Sequence, residues 1–206
     1  MSAALHAVNV HHPSGILRGV QLTVRPGQRV AIRGVNGSGK TTLIKLCTGL
    51  WKIRRGTIQI FGAPVKHANA RARLGYMPDR AILPAMTVAN LFRSVATMRR
   101  CGVTPGLNTL QRLDGSDLLT QRADRLSLGQ TRKVSFALST MHQPDLLIAD
   151  EPLANLDHDG VVAISALLDQ LHQRQCALLY TCPNGAPLLG DESVYDLVDG
   201  QLQAAL

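Results

Sequence analysis

The sequence predicts an α/β fold that is interrupted by a helical insertion. Short runs of apolar and β-branched residues alternate with segments whose apolar residues recur at helical spacing, as in a sheet with helices on its faces. After Pro84 the spacing becomes helical throughout, and strand-like patterns resume at the apolar run of residues 146–149. We therefore expect a core from residues 1–80 and 140–206, with a helical subdomain over 81–139, all within a single domain of 206 residues.

Each element is predicted from its local pattern. Short apolar or β-branched runs predict strands at residues 4–10, 16–24, 29–33, 56–61, 146–149 and 177–180. Helical spacing predicts helices from residue 40 or 41 to the C-cap Gly49, and over 87–100, 107–119, 131–141 and 157–173. Gly102 and Pro105 are expected to separate the second helix from the third. Asp199-Gly200 predicts a closing hairpin turn.

Composition excludes several classes of protein. Hydrophobic residues make up 45% of the chain and charged residues 17%, so a core is available and disorder is excluded as the main state. Aromatic residues make up 3%, which argues against a stacking platform for single-stranded nucleic acid. The net charge of +8 is uneven, since residues 1–78 carry 12 basic side chains and no acid. A basic half of this kind is typical of proteins that bind nucleic acid, anionic lipid or phosphate. It is equally typical of a surface on which the arginines are simply solvated.

The cysteines and the N-terminus indicate a cytosolic protein. Cys47, Cys101, Cys176 and Cys182 form no CxxC pair and have no histidine at ligand spacing, so we expect reduced thiols. The first ten residues do not form a secretory leader, and no run of roughly 18 apolar residues is present.

The strongest motif is a phosphate loop that fits GxxxxGK[ST] between a predicted strand and a predicted helix. It consists of Gly34, Val35, Asn36, Gly37, Ser38, Gly39, Lys40 and Thr41, and the predicted nucleotide contacts extend to Thr42. Glycines let backbone N–H groups turn inward around phosphate oxygens, and the helix N-terminus adds a favourable partial charge. We expect Lys40 to reach the β- and γ-phosphates and the Thr41 hydroxyl to hold Mg²⁺. A glycine-rich turn with an accidental GKT is the less frequent alternative.

A second motif is the acidic pair Asp150-Glu151, which follows the apolar run of residues 146–149. An acid at the carboxyl end of a buried strand lies beside the phosphate loop, where ligands of open α/β sheets collect. We expect Asp150 to orient a water on Mg²⁺ and Glu151 to polarise the attacking water. The alternative is an acidic pair that follows the strand by chance, and the presence of the phosphate loop argues against this alternative.

Together with Leu126-Ser127-Leu128-Gly129-Gln130, these motifs resemble the ATP-binding subunits of ABC transporters over nearly the whole chain. In that family the signature LSGGQ binds the γ-phosphate of ATP held by the opposite subunit, which implies nucleotide contacts from Ser127, Gly129 and Gln130. Leu128 replaces the middle glycine. The resemblance implies a P-loop nucleotide-binding core with an antiparallel β subdomain and an inserted helical subdomain.

The resemblance also assigns roles outside these motifs. Asp157, after Ala154-Asn155-Leu156, would belong to the loop that crosses the dimer interface. His11 or His12 occupies the region where the family places an aromatic ring under adenine, although a solvated loop histidine fits equally well.

Two positions depart from the family pattern. Asp79 stands where the family has a glutamine, and as an acid it can still approach Mg²⁺ or the attacking water, so we keep it as a catalytic candidate. The Pro78-Asp79 sequence is similar to some exporter-type members. Cys182 stands where the family has the switch histidine, and a thiol is a poor substitute for an imidazole that contacts the γ-phosphate. We therefore predict that hydrolysis is slow but not abolished.

The function implied by the resemblance is transport-coupled ATP hydrolysis with Mg²⁺. Two subunits, as a homodimer or with a paralogue, would close around two ATP molecules and drive a separate multispanning permease, with export favoured. The permease would dock near Asp79 and residues 81–86, and the subunit would lie peripherally on the cytoplasmic side of the membrane. Two alternatives stay open: a non-hydrolysing or weakly hydrolysing subunit that senses ATP and dimerises with it, and a soluble ABC ATPase acting on nucleic acid. No nucleic-acid partner is expected, because inserted coiled coils and a duplicated cassette are both absent from the sequence.

Overall fold

Two β-sheets form the framework of the chain, which a computed structural model describes over residues 2–185 and 189–205. The first sheet is antiparallel and contains β1 (Leu5–His11), β2 (Val20–Val24), β4 (Arg55–Ile60) and β5 (Ala63–Pro64), in the order β2-β1-β4-β5. The second contains β3 (Arg29–Arg33), β6 (Leu74–Met77), β7 (Leu146–Ala149), β8 (Ala177–Cys182), β9 (Ser193–Val198) and β10 (Gln201–Ala204). Its order is β10-β9-β3-β8-β7-β6, and all pairs are parallel except β10 with β9.

The helices are distributed between the strands. They are α1 (Lys40–Cys47), α2 (Ala68–Ala72), α3 (Val88–Arg99), α4 (Thr104–Arg112), α5 (Leu128–Thr140) and α6 (His158–Gln173), with 3-10 turns at Ser116–Thr120 and Ala123–Arg125. Helices α3, α4 and α5 follow one another between β6 and β7 and share a hydrophobic cluster that includes Phe92, Leu110 and Val134. Within the described residues, none of the helices is long and apolar enough to cross a membrane.

The central strands divide two further hydrophobic clusters. Val30 and Ile32 of β3 join the cluster between the two sheets, whereas Ala31 joins the cluster that packs against α6. This division follows from the alternation of side chains along a strand. Strand β7 is buried at all four positions, which explains its uninterrupted apolar sequence. Strand β8 beside it is also buried at every position, and the carboxyl ends of the parallel strands position the site described below.

Several element boundaries differ from the predictions. The strand predicted at 16–24 begins at Val20, after Gly19 in the left-handed region at φ 72°. The helix predicted over 107–119 is wrong: α4 ends at Arg112, and Asp114 at φ 49° turns the chain into the 3-10 segment. Pro105 does not interrupt a helix but lies in the first turn of α4. N–H groups in the first turn make no hydrogen bond within the helix, so proline is tolerated there. The sequence patterns did not predict β5, α2 and β6.

The hairpin predicted at Asp199-Gly200 is confirmed. Both residues have positive φ, 48° and 78°, which is the geometry of a two-residue hairpin turn. The Gly200 carbonyl accepts a hydrogen bond from the Arg18 N–H at 2.9 Å. A Cβ on Gly200 would lie 2.5 Å from the Ile16 carbonyl oxygen, so only glycine fits this approach.

Candidate nucleotide-binding site

The phosphate loop links the end of β3 to the start of α1. Gly37 and Gly39 have φ of 82° and 105°, a region that residues with a Cβ rarely occupy. A Cβ on Gly34 would lie 2.6 Å from the Ser38 hydroxyl oxygen. The loop therefore needs glycine at these positions to wrap closely around a ligand. The Ser38 hydroxyl is buried without a hydrogen-bond partner.

Lys40, the first residue of α1, folds back over this loop. Its side chain is 6% exposed, and Nζ donates to the carbonyl oxygens of Gly34 at 2.8 Å and Val35 at 3.3 Å. Nζ also lies 3.5 Å from the Glu151 carboxylate. The ammonium group is thus aligned with the loop and with the acidic end of β7.

A cleft of ≈ 420 Å³ lies in front of the loop. It brings together the predicted residues Lys40, Thr41, Thr42, Asp79 and Glu151. The parallel strands β3, β6 and β7 end at this edge of the sheet, so their following loops meet there. Residues that were distant in sequence therefore share one polar surface.

Asp150, which precedes Glu151 directly after β7, is 1% exposed and does not itself line the cleft. One carboxylate oxygen, Oδ1, accepts a hydrogen bond from the Thr181 hydroxyl at 2.6 Å, while Oδ2 is buried with no partner. A buried acceptor without a partner is costly unless a ligand satisfies it. Sequence reasoning missed Thr181, although its position beside Cys182 at the end of the strand was a usable signal.

Glu151 follows in a left-handed backbone conformation with φ 48°. Its N–H donates to the Thr181 hydroxyl oxygen at 2.9 Å, and its carbonyl accepts from the Ala154 N–H at 3.1 Å. These contacts hold both peptide groups of the residue while the carboxylate faces Lys40.

Asp79 reaches the cleft but is also tied to a residue that sequence reasoning missed. Its Oδ1 accepts from Nη2 of Arg132 at 2.9 Å, and Nη1 of Arg132 donates to the Glu151 carbonyl at 2.8 Å. Arg132 shares the buried face of α5 with Phe136 and Ser139. The sequence held a signal for this link, because Arg132 stands at helical spacing from residues that are buried. A buried cation requires an acidic partner.

The signature residues lie away from this cleft. Ser127 caps α5: its hydroxyl accepts from the Gln130 N–H at 3.2 Å, and its own N–H donates to the Gln130 side-chain oxygen at 3.0 Å. The helix consequently begins at Leu128, three residues before the prediction. Gly129 lies in its first turn, and Asp157 caps α6 through the Gly160 N–H at 2.8 Å.

Comparison with known proteins identifies the family. A family model described as ABC transporter matches residues 17–154. The chain belongs to this family. One relative is the lipoprotein-releasing system ATP-binding protein LolD 1 of Rhodopirellula baltica. It is 32% identical to this chain over 203 residues, and the match covers 92% of this chain and 89% of LolD 1. The zinc import ATP-binding protein ZnuC of Yersinia enterocolitica is 30% identical over 168 residues, covering 80% of this chain and only 62% of ZnuC.

Solved structures confirm the predicted ABC fold class. An ATP-binding subunit of an ABC transporter superposes with a TM-score of 0.89 at 24% identity, covering 98% of this chain and 88% of that chain. A bacterial Atm1-family ABC exporter with ATP bound gives 0.85 at 20% identity, covering 98% of this chain and 38% of the exporter. The predicted ATP-binding and ATPase character follows from the family. The two relatives are named for release and for import, so the preference for export stays a prediction.

Cys182, which was predicted to stand at the switch position of the family, is buried. Burial raises the pKa of Cys182 to about 11, with Arg33 and Lys40 acting in the opposite direction. The thiol is therefore neutral near pH 7. Cys182 pairs in register with Arg33 of β3, whose guanidinium forms a bidentate ion pair with Asp196 at 2.9 Å. Cys182 does not line the cleft in front of the phosphate loop.

The two histidines in the region of the family's adenine-stacking ring have different surroundings. Nε2 of His11 is hydrogen-bonded to the Asn9 side chain at 2.9 Å. The ring centre of His12 instead lies 5.5 Å from that of Trp51, and Lys45 Nζ lies 4.6 Å from the Trp51 ring centre. Sequence reasoning missed Trp51, and nothing in the local pattern pointed to it.

Proposed function

We propose that this ABC ATP-binding subunit couples ATP binding and hydrolysis to substrate movement through a separate multispanning permease. The observation that carries the proposal is the cleft in which Lys40, Thr41 and Glu151 meet, together with the unpartnered oxygen of the adjoining Asp150. A basic group, a hydroxyl and two carboxylates at the N-terminus of a helix are the groups that phosphoryl transfer requires.

Phosphate binding falls to the loop and to Lys40. The backbone of Gly34, Val35, Asn36, Gly37, Ser38 and Gly39 surrounds the β-phosphate, and the N-terminus of α1 adds its partial positive charge. Lys40 exchanges part of its bonding to the loop carbonyls for the β- and γ-phosphate oxygens. Thr42 lines the same cleft and completes the set of polar contacts.

The residues at the cleft also fit Mg²⁺. Asp150 offers a buried carboxylate oxygen that lacks a partner, and Thr41 offers a hydroxyl that lines the cleft. Both are oxygen donors, which a hard cation prefers. When bound, the ion supplies positive charge that balances the phosphate oxygens. Thr181 orients Asp150 by donating to its other oxygen.

Glu151 acts as the general base. Its carboxylate accepts a proton from the water that attacks the γ-phosphorus, and the bond to the β-phosphate oxygen breaks to release ADP and phosphate. Lys40 Nζ lies 3.5 Å from the carboxylate. Asp79 lies at the same cleft and completes its acidic wall.

A second subunit, either another copy or a paralogue, completes the site. Ser127, Gly129 and Gln130 lie outside this chain's own cleft, which is compatible with contact to ATP held by the opposite subunit. Leu128 next to them is exposed and free to meet that subunit. Asp157 would approach the same interface. Adenine would stack in the region of His11 and His12, and the His12–Trp51 pair supports the second of these.

The permease would dock in a groove of ≈ 480 Å³ between the segment after β6 and the start of α5. Ile82 on its rim is 99% exposed, as expected for an apolar side chain that a partner covers. On this proposal the subunit lies peripherally on the cytoplasmic side of the membrane. Export is the favoured direction, because Pro78-Asp79 is similar to exporter-type members.

A non-hydrolysing ATP sensor is the second candidate function. The neutral thiol of Cys182 supports it, because a neutral thiol is a weak hydrogen-bond donor to a γ-phosphate. Such a protein would bind ATP and dimerise without turnover. Measurable hydrolysis in the presence of the permease rules this candidate out.

The test is affinity capture of the Glu151→Gln protein with ATP and Mg²⁺ from detergent-solubilised membranes of its host. Removing the base should trap the ATP-bound dimer on its permease, so a multispanning protein should copurify in stoichiometric amount. The Lys40→Ala protein is the control, since it should not be trapped. Recovery of soluble proteins or nucleic acid alone would contradict the proposal.

A further inference from the structure

Arg132 is a buried cation at the junction of three segments of the chain. It lies in the second turn of α5 and is 4% exposed. Nη2 donates to Oδ1 of Asp79 at 2.9 Å and to the Asp79 carbonyl oxygen at 3.1 Å, and Nη1 donates to the Glu151 carbonyl at 2.8 Å. A guanidinium offers several N–H groups in a rigid plane, so one side chain fixes these acceptors relative to one another.

Arg132 contacts the backbone of Glu151, and the backbone conformation sets the direction of the Glu151 carboxylate. Glu151 has φ 48°, a conformation that a residue with a Cβ adopts only when its surroundings hold it there. Thr181 holds the N–H of the residue, and its carbonyl accepts hydrogen bonds from Arg132 at 2.8 Å and from the Ala154 N–H at 3.1 Å. With both peptide groups fixed, the carboxylate stays 3.5 Å from Lys40.

Asp79 supplies the charge that lets Arg132 remain buried. A buried guanidinium needs an ionised acceptor close by, whereas a neutral side chain would leave its charge uncompensated. Asp79 is 34% exposed, and its other oxygen lies 3.9 Å from Arg80, too far for a hydrogen bond. The short contact of its carboxylate is therefore with Arg132 and not with a group in the cleft.

We propose that Arg132 is a positioning residue for Glu151, and that Asp79 acts on hydrolysis by holding Arg132 rather than by touching the reacting atoms. The inference rests on the proposed role of Glu151 as general base. The family has a neutral glutamine at the position of Asp79, whereas here Asp79 and Arg132 form a charged pair. This pair links the start of α5, which carries the signature residues, to Glu151 and its reacting carboxylate. The alternative is the expectation that Asp79 itself approaches Mg²⁺ or the attacking water, and the experiment below distinguishes the two.

The experiment compares Arg132→Gln, Arg132→Lys and Asp79→Asn in the full chain, measuring ATP affinity by titration and hydrolysis by single turnover with Mg²⁺. Because the general base loses its alignment and the phosphate loop is untouched, Arg132→Gln should slow hydrolysis at least about tenfold while ATP affinity changes less than about twofold. Arg132→Lys should recover part of the rate, since it keeps the charge but not the planar fork.

Non-additivity distinguishes positioning from direct catalysis by Asp79. Asp79→Asn alone should slow hydrolysis about threefold or more, and should add little in the Arg132→Gln background, because both changes break the same link. Additive losses would assign Asp79 a direct role and overturn the proposal. Asp79→Asn keeps the volume and one acceptor at this position, so it serves if Arg132→Gln folds poorly.

The control is the Arg122–Asp124 pair, an arginine–aspartate ion pair at 2.9 Å on the surface of the helical region. Arg122→Gln removes this pair and should leave hydrolysis unchanged. If Arg132→Gln hydrolyses ATP at the wild-type rate, this inference is wrong and the proposed function stands. If the wild-type chain with its permease neither binds nor hydrolyses ATP, the proposed function itself is wrong.

Discussion

The groups around the cleft and those of the signature loop, residues 126–130, differ in how many of their hydrogen bonds are already made. At the cleft, the Ser38 hydroxyl and one oxygen of Asp150 are buried without a partner. At the signature loop, Ser127 and Gln130 satisfy each other in a reciprocal cap. Both sets were predicted to contact nucleotide. Among the described residues, buried side-chain atoms without a partner occur at Ser38 and Asp150 but not in the signature loop.

This difference separates two ways in which a residue supports ligand binding. Unpartnered buried groups lower stability in the free protein and gain their bonds from a ligand. A completed cap stabilises the helix whether or not a ligand is present. Substitutions at the cleft should therefore change binding and turnover more than stability, and substitutions at the signature loop should change both.

Lys40→Ala should give the largest effect. It removes the cation aligned with the loop and with Glu151, so ATP turnover should fall at least about a hundredfold, with a melting temperature close to wild type. Steady-state hydrolysis and thermal unfolding measure the two quantities. Lys52→Ala, an exposed lysine outside the cleft, should match wild type in both. Turnover in Lys40→Ala equal to that of Lys52→Ala would remove Lys40 from the mechanism.

Cys182→His should give an intermediate effect in the opposite direction. An imidazole restores the group that the family uses at the γ-phosphate, so turnover should rise about threefold to tenfold. The pH profile is the decisive readout. The pKa of the Cys182 thiol is raised to about 11, so it stays protonated between pH 6 and 9 and gives wild type no titration there, whereas the variant should show one near the histidine pKa.

The control for that experiment is Cys182→Ser, which keeps a small side chain without an imidazole and should not exceed wild-type turnover. If histidine and serine give the same rate with the permease present, the position plays no part in hydrolysis.

Ser127→Ala should give the smallest effect and tests the signature loop. Losing the cap acceptor should lower the free energy of unfolding by about 1 kcal/mol, which denaturant unfolding measures. Ser127→Asp separates the two roles, because a carboxylate also caps a helix. It should restore stability but not turnover, since its charge would repel the γ-phosphate of the opposite subunit's ATP. Wild-type turnover in Ser127→Asp would confine this residue to capping.

Local spacing predicted the parts of the site that lie close together in sequence. The loop from Gly34 to Lys40 and the pair Asp150-Glu151 follow from short motifs at strand ends, and the structure brings Lys40 and Glu151 together. The link between Arg132 and Asp79 spans 53 residues and depends on how α5 packs, so no local pattern predicts it. The choice between His11 and His12 likewise depends on Trp51, which another segment supplies.

The predictions were weakest for short elements and for helix ends, because these also depend on contacts that a local pattern does not show. Ser127 was interpreted as a ligand contact alone, and its capping role, which moves the start of α5 to Leu128, was overlooked. Strand β6 has only four residues, including Gly75, and takes its stability from pairing with β7.

The left-handed backbone at Glu151 also has a consequence for engineering. A glycine would adopt the same φ without strain, so selection for thermal stability alone favours loss of the carboxylate at this position. Stability and activity are therefore opposed at a single residue. A heat-resistant version of this subunit has to be selected for turnover as well as for resistance to unfolding.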